Sequence, residues 1–224
     1  MKEKDLTVSR AKEYIKERLK SVSLEKERVE LREGAKLVIH IAPMDIFKYP
    51  NLNFDIGLDL TNTNKYHVRP FYGQGWNMSS NEKGLFCFSS GCGYVEIATD
   101  GIVEILDQCL LSSDALPMGI FEKLIIEGLT NIQRDLKNLD VNGELLISVS
   151  LINIKGMRMA TESYFGGTAF SDVYSSEDLH LPYVELQTVE ENLEKALKPA
   201  FDYMWRAFGY KYSHSYTNGT FSKV

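Results

Sequence analysis

The chain has 224 residues, 44% of them hydrophobic and 25% charged, with a net charge of −6 and a pI near 5.3. That length suits one large domain or two small ones, and it can bury an apolar core without disulfides or structural metal. The acidic balance argues against duplex-DNA binding by this chain alone, because phosphate neutralisation by a basic face supplies most of that affinity. No apolar run reaches the length of a membrane span.

Residues 6–22 read as a charged helix, with Leu6, Val8, Ala11, Ile15, Leu19 and Val22 at helical spacing among Lys and Glu. The stripe is narrow, so the helix either connects to a neighbour or lies peripherally on its own domain. Residues 1–24 are set apart as this helix and connector, and 25–224 as a single domain. Arg28 to Arg32 alternates, Glu33-Gly34 turns, and Ala35 to Ile41 follows as a buried strand, which together predict a hairpin. Residues 44–64 read as a loop with one short strand at Phe54-Asp55-Ile56. A meander follows: Tyr66–Arg69 stopped by Pro70, a loop holding Trp76, then strands Gly84–Phe88, Tyr94–Ala98 and Ile102–Leu106. Asp100-Gly101 predicts a type I′ turn between the last two.

A second helix is expected over 115–138, capped by Asp114, with Pro117 in its first turn and Phe121, Leu124, Ile125, Leu129, Ile132, Leu136 and Leu139 marking a broad buried face. Leu145 to Ile154 reads as a long central strand. Residues 155–181 read as irregular around Gly166-Gly167, and Tyr183–Leu186 as a short strand. The last helix opens on the capping-box pattern Thr188-x-x-Glu191 and runs to Phe208, with Gly209 ending it. The pattern is that of an α+β protein: a mainly antiparallel mixed sheet packed by two long amphipathic helices, with the charged helix at the N-terminus.

The cysteines, Cys87, Cys92 and Cys109, form an odd count without framework spacing, which argues against a secreted disulfide scaffold. No apolar h-region follows Met1-Lys2-Glu3-Lys4-Asp5, so a cytoplasmic location is expected, and the sequons at Asn77 and Asn218 are then chance matches. Cys87 and Cys92 flank a predicted turn and with Cys109 would make an incomplete metal site; three reduced cysteines is the simpler reading.

The chain holds no P-loop, GxGxxG, HExxH, GxSxG or paired CxxC motif, so no catalytic residue, metal ligand or cofactor is assigned. His40, inside an apolar strand, reads as a hydrogen-bonded core imidazole, and His67, His180 and His214 sit near loops or strand ends. Candidate binding residues remain. Arg158 follows the long central strand, with Gly166 and Gly167 nearby to let a ligand or partner backbone approach; a salt bridge to the core is the competing reading. Arg69 and Trp76 bound a polar-aromatic loop suited either to anchoring a partner or to pinning the loop to its own domain. In the tail, Tyr210, Tyr212, His214 and Tyr216 would share one face of a strand, with Tyr212 and Tyr216 placed to stack unpaired bases; an edge strand or a poorly ordered tail is the alternative.

The run from Arg32-Glu33-Gly34-Ala35 to Ile41-Ala42-Pro43 resembles the start of a C-terminal module of bacterial proteins, where it follows a Schlafen-like, AlbA-type DNA-binding or ATP-binding domain. The likeness continues at Arg69-Pro70 through Trp76-Asn77, Lys83–Cys87, Asp100–Glu104 and Val149–Ala160, and at Leu197-Lys198-Pro199 and Trp205 in the last helix. It covers roughly residues 25–208, and its motifs are structural. The upstream domain lies outside this sequence, so its activity transfers to no residue here.

Three functions follow as expectations. The first is a non-enzymatic interaction or regulatory module that meets a protein partner or an upstream DNA-handling or ATP-binding domain through Arg69, Trp76 and Arg158. The second is a metal-dependent nuclease or phosphodiesterase using dispersed carboxylates such as Asp55, Asp59 and Glu96. The third is a single-stranded nucleic-acid binder using the aromatic tail.

Overall fold

The computed structural model describes residues 2–22, 29–49, 51–54, 71, 76–111, 114–162 and 167–222. The strands expected at 54–56 and 66–69 fall wholly or mostly outside them. In chain order the elements are α1 (Lys2–Val22), β1 (Lys36–Pro43), β2 (Asn77–Ser80), β3 (Gly84–Ser89), β4 (Gly93–Ala98), β5 (Val103–Asp107), β6 (Ala115–Pro117) and α2 (Met118–Asn138). There follow β7 (Leu145–Ile152), β8 (Arg158–Glu162), β9 (Thr168–Phe170), β10 (Leu179–His180), β11 (Val184–Leu186), α3 (Leu193–Ala207), β12 (Tyr216–Thr217) and β13 (Thr220–Phe221). The chain is α+β. One sheet has eight strands in the order β10-β7-β1-β5-β4-β3-β2, with β11 also on β7; a three-stranded sheet runs β6-β8-β9, and β12-β13 is a hairpin.

Successive residues of a strand face opposite sides, and β1 is apolar on both. Leu37, Ile39 and Ile41 join Val103, Ile105, Ile147 and Val149 in a core closed by Phe121, Ile125 and Leu129 of α2 and Leu197, Phe201 and Met204 of α3. Val38 and Ala42 face the other way. There Val22 of α1 packs with Val38, Tyr94 and Leu106, while Ala11 and Ile15 pack with Ala42, Met44 and Leu146. A strand with no wet face suits the middle of a covered sheet. The hairpin expected over 28–41 therefore does not form. Residues 29–35 carry no strand, and β1 instead pairs antiparallel with the distant β5 and β7.

Local chemistry explains three further departures. Of Asp100 and Gly101 only Gly101 takes a positive φ, so the β4–β5 connection is not type I′. Gly101 N–H donates to Ala98 O at 2.7 Å, and Asp100 Oδ1 accepts from Ile102 N–H at 3.0 Å, a three-residue loop with glycine in the left-handed position. Residues 115–117 are extended rather than helical, because β6 pairs in parallel with β8; α2 begins after Pro117, and Asp114 does not cap it. The last helix starts later than the Thr188-x-x-Glu191 pattern, at Asn192, whose Oδ1 accepts from Lys195 N–H at 2.8 Å. Its end is a Schellman motif on Gly209 (φ 88°), with Gly209 N–H on Arg206 O and Tyr210 N–H on Trp205 O.

The face under α1 holds one charged cluster. His40 and Glu104 are cross-strand partners on β1 and β5, and both are buried. Arg18 of α1 donates to Glu104 from Nε at 2.5 Å and from Nη2 at 2.8 Å. Tyr94 OH donates at 2.6 Å, and His40 Nε2 lies at 3.1 Å. Burial alone would raise the Glu104 pKa, but the hydrogen bonds from His40 and Arg18 and their charges overcome it and hold the carboxyl at about 2. The cluster pins α1 to the sheet where the apolar stripe is too narrow to do so alone.

Replacing Arg18 by Met should lower stability by about 3 kcal/mol, since it strips a buried carboxylate of its cation. The Glu104 contribution is fully present above its unfolded value near 4.5 and is lost as pH falls toward 2, so acid unfolding of Glu104→Gln should show a shallower slope over that window than the wild type. Gly93 (φ 144°) lies against β5 so closely that a Cβ there would sit 2.0 Å from Leu106 O; Gly93→Ala should cost about 3 kcal/mol or prevent folding, read by chemical denaturation.

Candidate functional site: an open groove on the small sheet and a polar cavity at the sheet end

Among the described residues no buried side-chain nitrogen or oxygen lacks a partner. The buried acids are occupied by structural work. Glu122 of α2 is fully buried and accepts from Trp205 Nε1–H at 2.8 Å and from Ser213 Oγ–H at 2.9 Å. Burial pushes its pKa up, against hydrogen bonds from Ser215, Trp205 and Ser213 that pull it down. Glu96 of β4 accepts from Asn81 Nδ2 at 2.8 Å. Asp55 and Asp59 lie outside the described residues, and among those described no group of three or more His, Cys, Asp or Glu is placed to hold a metal ion.

Glu122 also organises the tail, which is not the flat aromatic face expected from alternation. Residues 210–215 form no strand. Ser213 turns inward onto Glu122, and its N–H donates to Asp202 Oδ1 at 2.9 Å. His214 packs on Trp205 with ring centres 4.4 Å apart, and Tyr210 meets both rings edge-on. Tyr216 is buried, its OH donating to Glu194 O at 2.6 Å. Tyr212 alone of the two tail candidates is exposed, at 51%. The inward pull of Glu122 and α3 overrides period-two alternation.

The other candidates separate. Trp76 precedes β2 and is half-buried against the main core. Arg158 opens β8 in the three-stranded sheet, its N–H donating to Asp114 O at 3.1 Å and its side chain exposed. Trp76 and Arg158 thus serve different sheets, while Arg69 and Gly166 lie outside the described residues. Gly167 (φ 85°) has open space where a Cβ would stand.

Gly167 lines a groove of about 660 Å³ between the small sheet and the first turns of α2, with Pro117, Ile120, Leu124, Ala160 and Thr168. Arg158 and Ala160 share one face of β8. Ala160 pairs across the sheet with Pro117 on one side and Phe170 on the other. Ile120 and Phe170 are each 55% exposed. The sequence pointed to Arg158 and Gly167, but Ile120 and Phe170 were missed. Ile120 falls inside an apolar helical pattern whose outward member only packing reveals, and Phe170 sits in a stretch without clear period.

A second concavity lies at the end of the main sheet where the chain enters β1 and leaves β5 and β7. It measures about 320 Å³ and is polar, with Arg32, Gln108, Asn153 and Lys155 among its walls. Cys92 and Cys109 form a disulfide beside it, with Cα atoms 5.0 Å apart. The reading of three reduced thiols, and the alternative of one site made by all three cysteines, are both corrected. Pairing of β4 with β5 brings residue 92, just before β4, beside 109, just after β5, while Cys87 is buried in the main core.

The Glu122 arrangement yields a test of its structural role. The folded protein holds the Glu122 proton above the ordinary value of 4.5, so ionisation destabilises it as pH rises past that point. Glu122→Gln should therefore gain stability relative to the wild type as pH rises above 4.5, followed by thermal unfolding at each pH; a difference that stays flat from pH 4 upward would contradict the assignment. Comparison with protein-family models, with curated proteins and with solved structures finds no match to this chain.

Proposed function

We propose that the chain is a non-enzymatic interaction module that docks a protein partner in the groove between the small sheet and α2. The observation that carries this reading is the exposed Ile120 on the wall of that groove together with the exposed Phe170, the cross-strand neighbour of the wall residue Ala160, with Arg158 on the same sheet. Large apolar side chains grouped around a concavity are the usual anchors of a binding surface, with arginine supplying a directional rim contact. The occupied state of Glu104 and Glu122 supports a binding role over acid–base chemistry at those groups, since each carboxylate is consumed by donors from its own fold.

The partner is a Schlafen-like, AlbA-type domain that handles DNA or ATP, carried on the same chain upstream or on a separate one. The sequence likeness to modules that follow such domains is what supports this choice. A cytoplasmic location belongs to the same proposal; among the described residues no helix is long and apolar enough to cross a membrane.

The test is to mix the purified chain with an AlbA-type domain from its own source and measure association by calorimetry and light scattering. A complex is expected, and Ile120→Asp with Phe170→Asp should weaken it by about tenfold or more, because each places a charge in the dehydrated centre of the contact. Both side chains are exposed, so the double variant should unfold at the wild-type midpoint. Absence of a complex, or a complex indifferent to both substitutions, would refute the assignment.

A further inference from the structure

The polar cavity at the sheet end is built around one guanidinium. The main chain of Arg32 is fixed by a buried side chain: its N–H donates to Gln108 Oε1 at 2.9 Å, and Gln108 Nε2 donates back to Arg32 O at 2.6 Å. Gln108 N–H in turn donates to Cys92 O at 2.8 Å, within the segment closed by the Cys92–Cys109 disulfide. The Arg32 side chain lies over Gly91, where an added Cβ would stand 3.2 Å from Nε and 3.4 Å from Nη2. Gly91 (φ 72°) is itself tied down, its N–H donating to Glu30 O at 2.9 Å. The guanidinium is thus placed by the glycine beneath it, and among the described residues it has no hydrogen-bond or ion-pair partner.

The rest of the wall narrows what could be bound. Gly34 (φ 121°), Asn153 (φ 56°) and Gly156 (φ 89°) hold the entering and leaving segments in left-handed turns, and Gly34 and Gly156 leave open space where a Cβ would be. Lys155, the other cation of the lining, is paired with Glu177 at 2.9 Å. Glu33 and Asp114 also line the cavity. Two acids beside one unpaired fork repel a polyanion, while a single planar oxyanion can still take two parallel hydrogen bonds from the guanidinium. A volume of about 320 Å³ admits a small body behind that group.

We infer that this cavity binds a carboxylate, held bidentate by Arg32, on a small acid or at the C-terminus of a peptide. The site shares no lining residue with the groove on the small sheet, so either reading can fail without the other.

The test titrates the full chain with butyrate, with a short peptide bearing a free C-terminus, with the same peptide amidated, and with inorganic phosphate, followed by calorimetry and amide chemical shifts. Binding of butyrate alone assigns the site to a small acid and binding of the free peptide alone assigns it to a peptide C-terminus; either result, or both together, supports the site. Arg32→Gln should weaken that binding by about tenfold or more, as expected for loss of hydrogen bonds to a charged group. Arg32→Lys should weaken it nearly as much, because it keeps the charge but not the fork. Gly91→Ala, which displaces the guanidinium without removing it, should also weaken it; unfolding midpoints verify that each variant is folded. The inference is overturned if no carboxylate binds, if phosphate or the amidated peptide binds as well as the free acid, or if Arg32→Gln leaves affinity unchanged.

Discussion

β1 has no face that water can wet, and the sheet must be covered on both sides because of it. Leu37, Ile39 and Ile41 demand one cover and receive α2 and α3; Val38 and Ala42 demand another and receive α1. His40 interrupts the second face, and its burial is tolerable because Glu104 stands directly across the ladder with Arg18 and Tyr94 completing the shell. A buried carboxylate without its cation would cost several kcal/mol. The charged cluster therefore also dictates where along the sheet α1 must lie.

That arrangement leaves the binding surfaces at the periphery. The middle strands of the main sheet, β1, β5 and β7, are covered above and below, so the openings lie at strand ends and on the smaller sheet. The cavity beside Arg32 occupies one strand end, where the turn before β1, the turn at Gly91 and the turn after β7 converge. The groove beside Phe170 lies where α2 rises from β6 and leaves Ile120 uncovered. Both lie on turns or short elements held by rigid neighbours, the usual placement of ligand-contacting groups.

Much of the main sheet was legible because its strands carry their own evidence. Gly84–Phe88, Tyr94–Ala98, Ile102–Leu106 and Leu145–Ile154 all lie where β3, β4, β5 and β7 form, to within one or two residues. Their apolar runs are bounded by Gly and Asp, and those signals act over a few residues. The small sheet was not legible: β8 and β9 are short and carry mixed burial, and β8 is completed on its other side by β6, a segment the sequence assigns to a helix. The tail failed for a related reason. Its alternation is real, but a fully buried glutamate on α2 draws Ser213 inward and breaks the strand that alternation predicts. An odd cysteine count likewise did not preclude a disulfide, since one of three can be buried apart from the other two.

The sequence by itself determined the class of the protein, the strands with continuous apolar runs and the helix end at Gly209. These depend on side-chain period and on turn stereochemistry, which act between near neighbours in the chain. Only the tertiary structure decided that β1 joins β5 and β7, that Cys92 meets Cys109, that Glu104 and Glu122 are consumed by partners about 10 to 90 residues away, and that Arg32 stands over Gly91 beside an open cavity. Those pairings are set by which surfaces must be dehydrated together, a property of the packed whole that no local window contains.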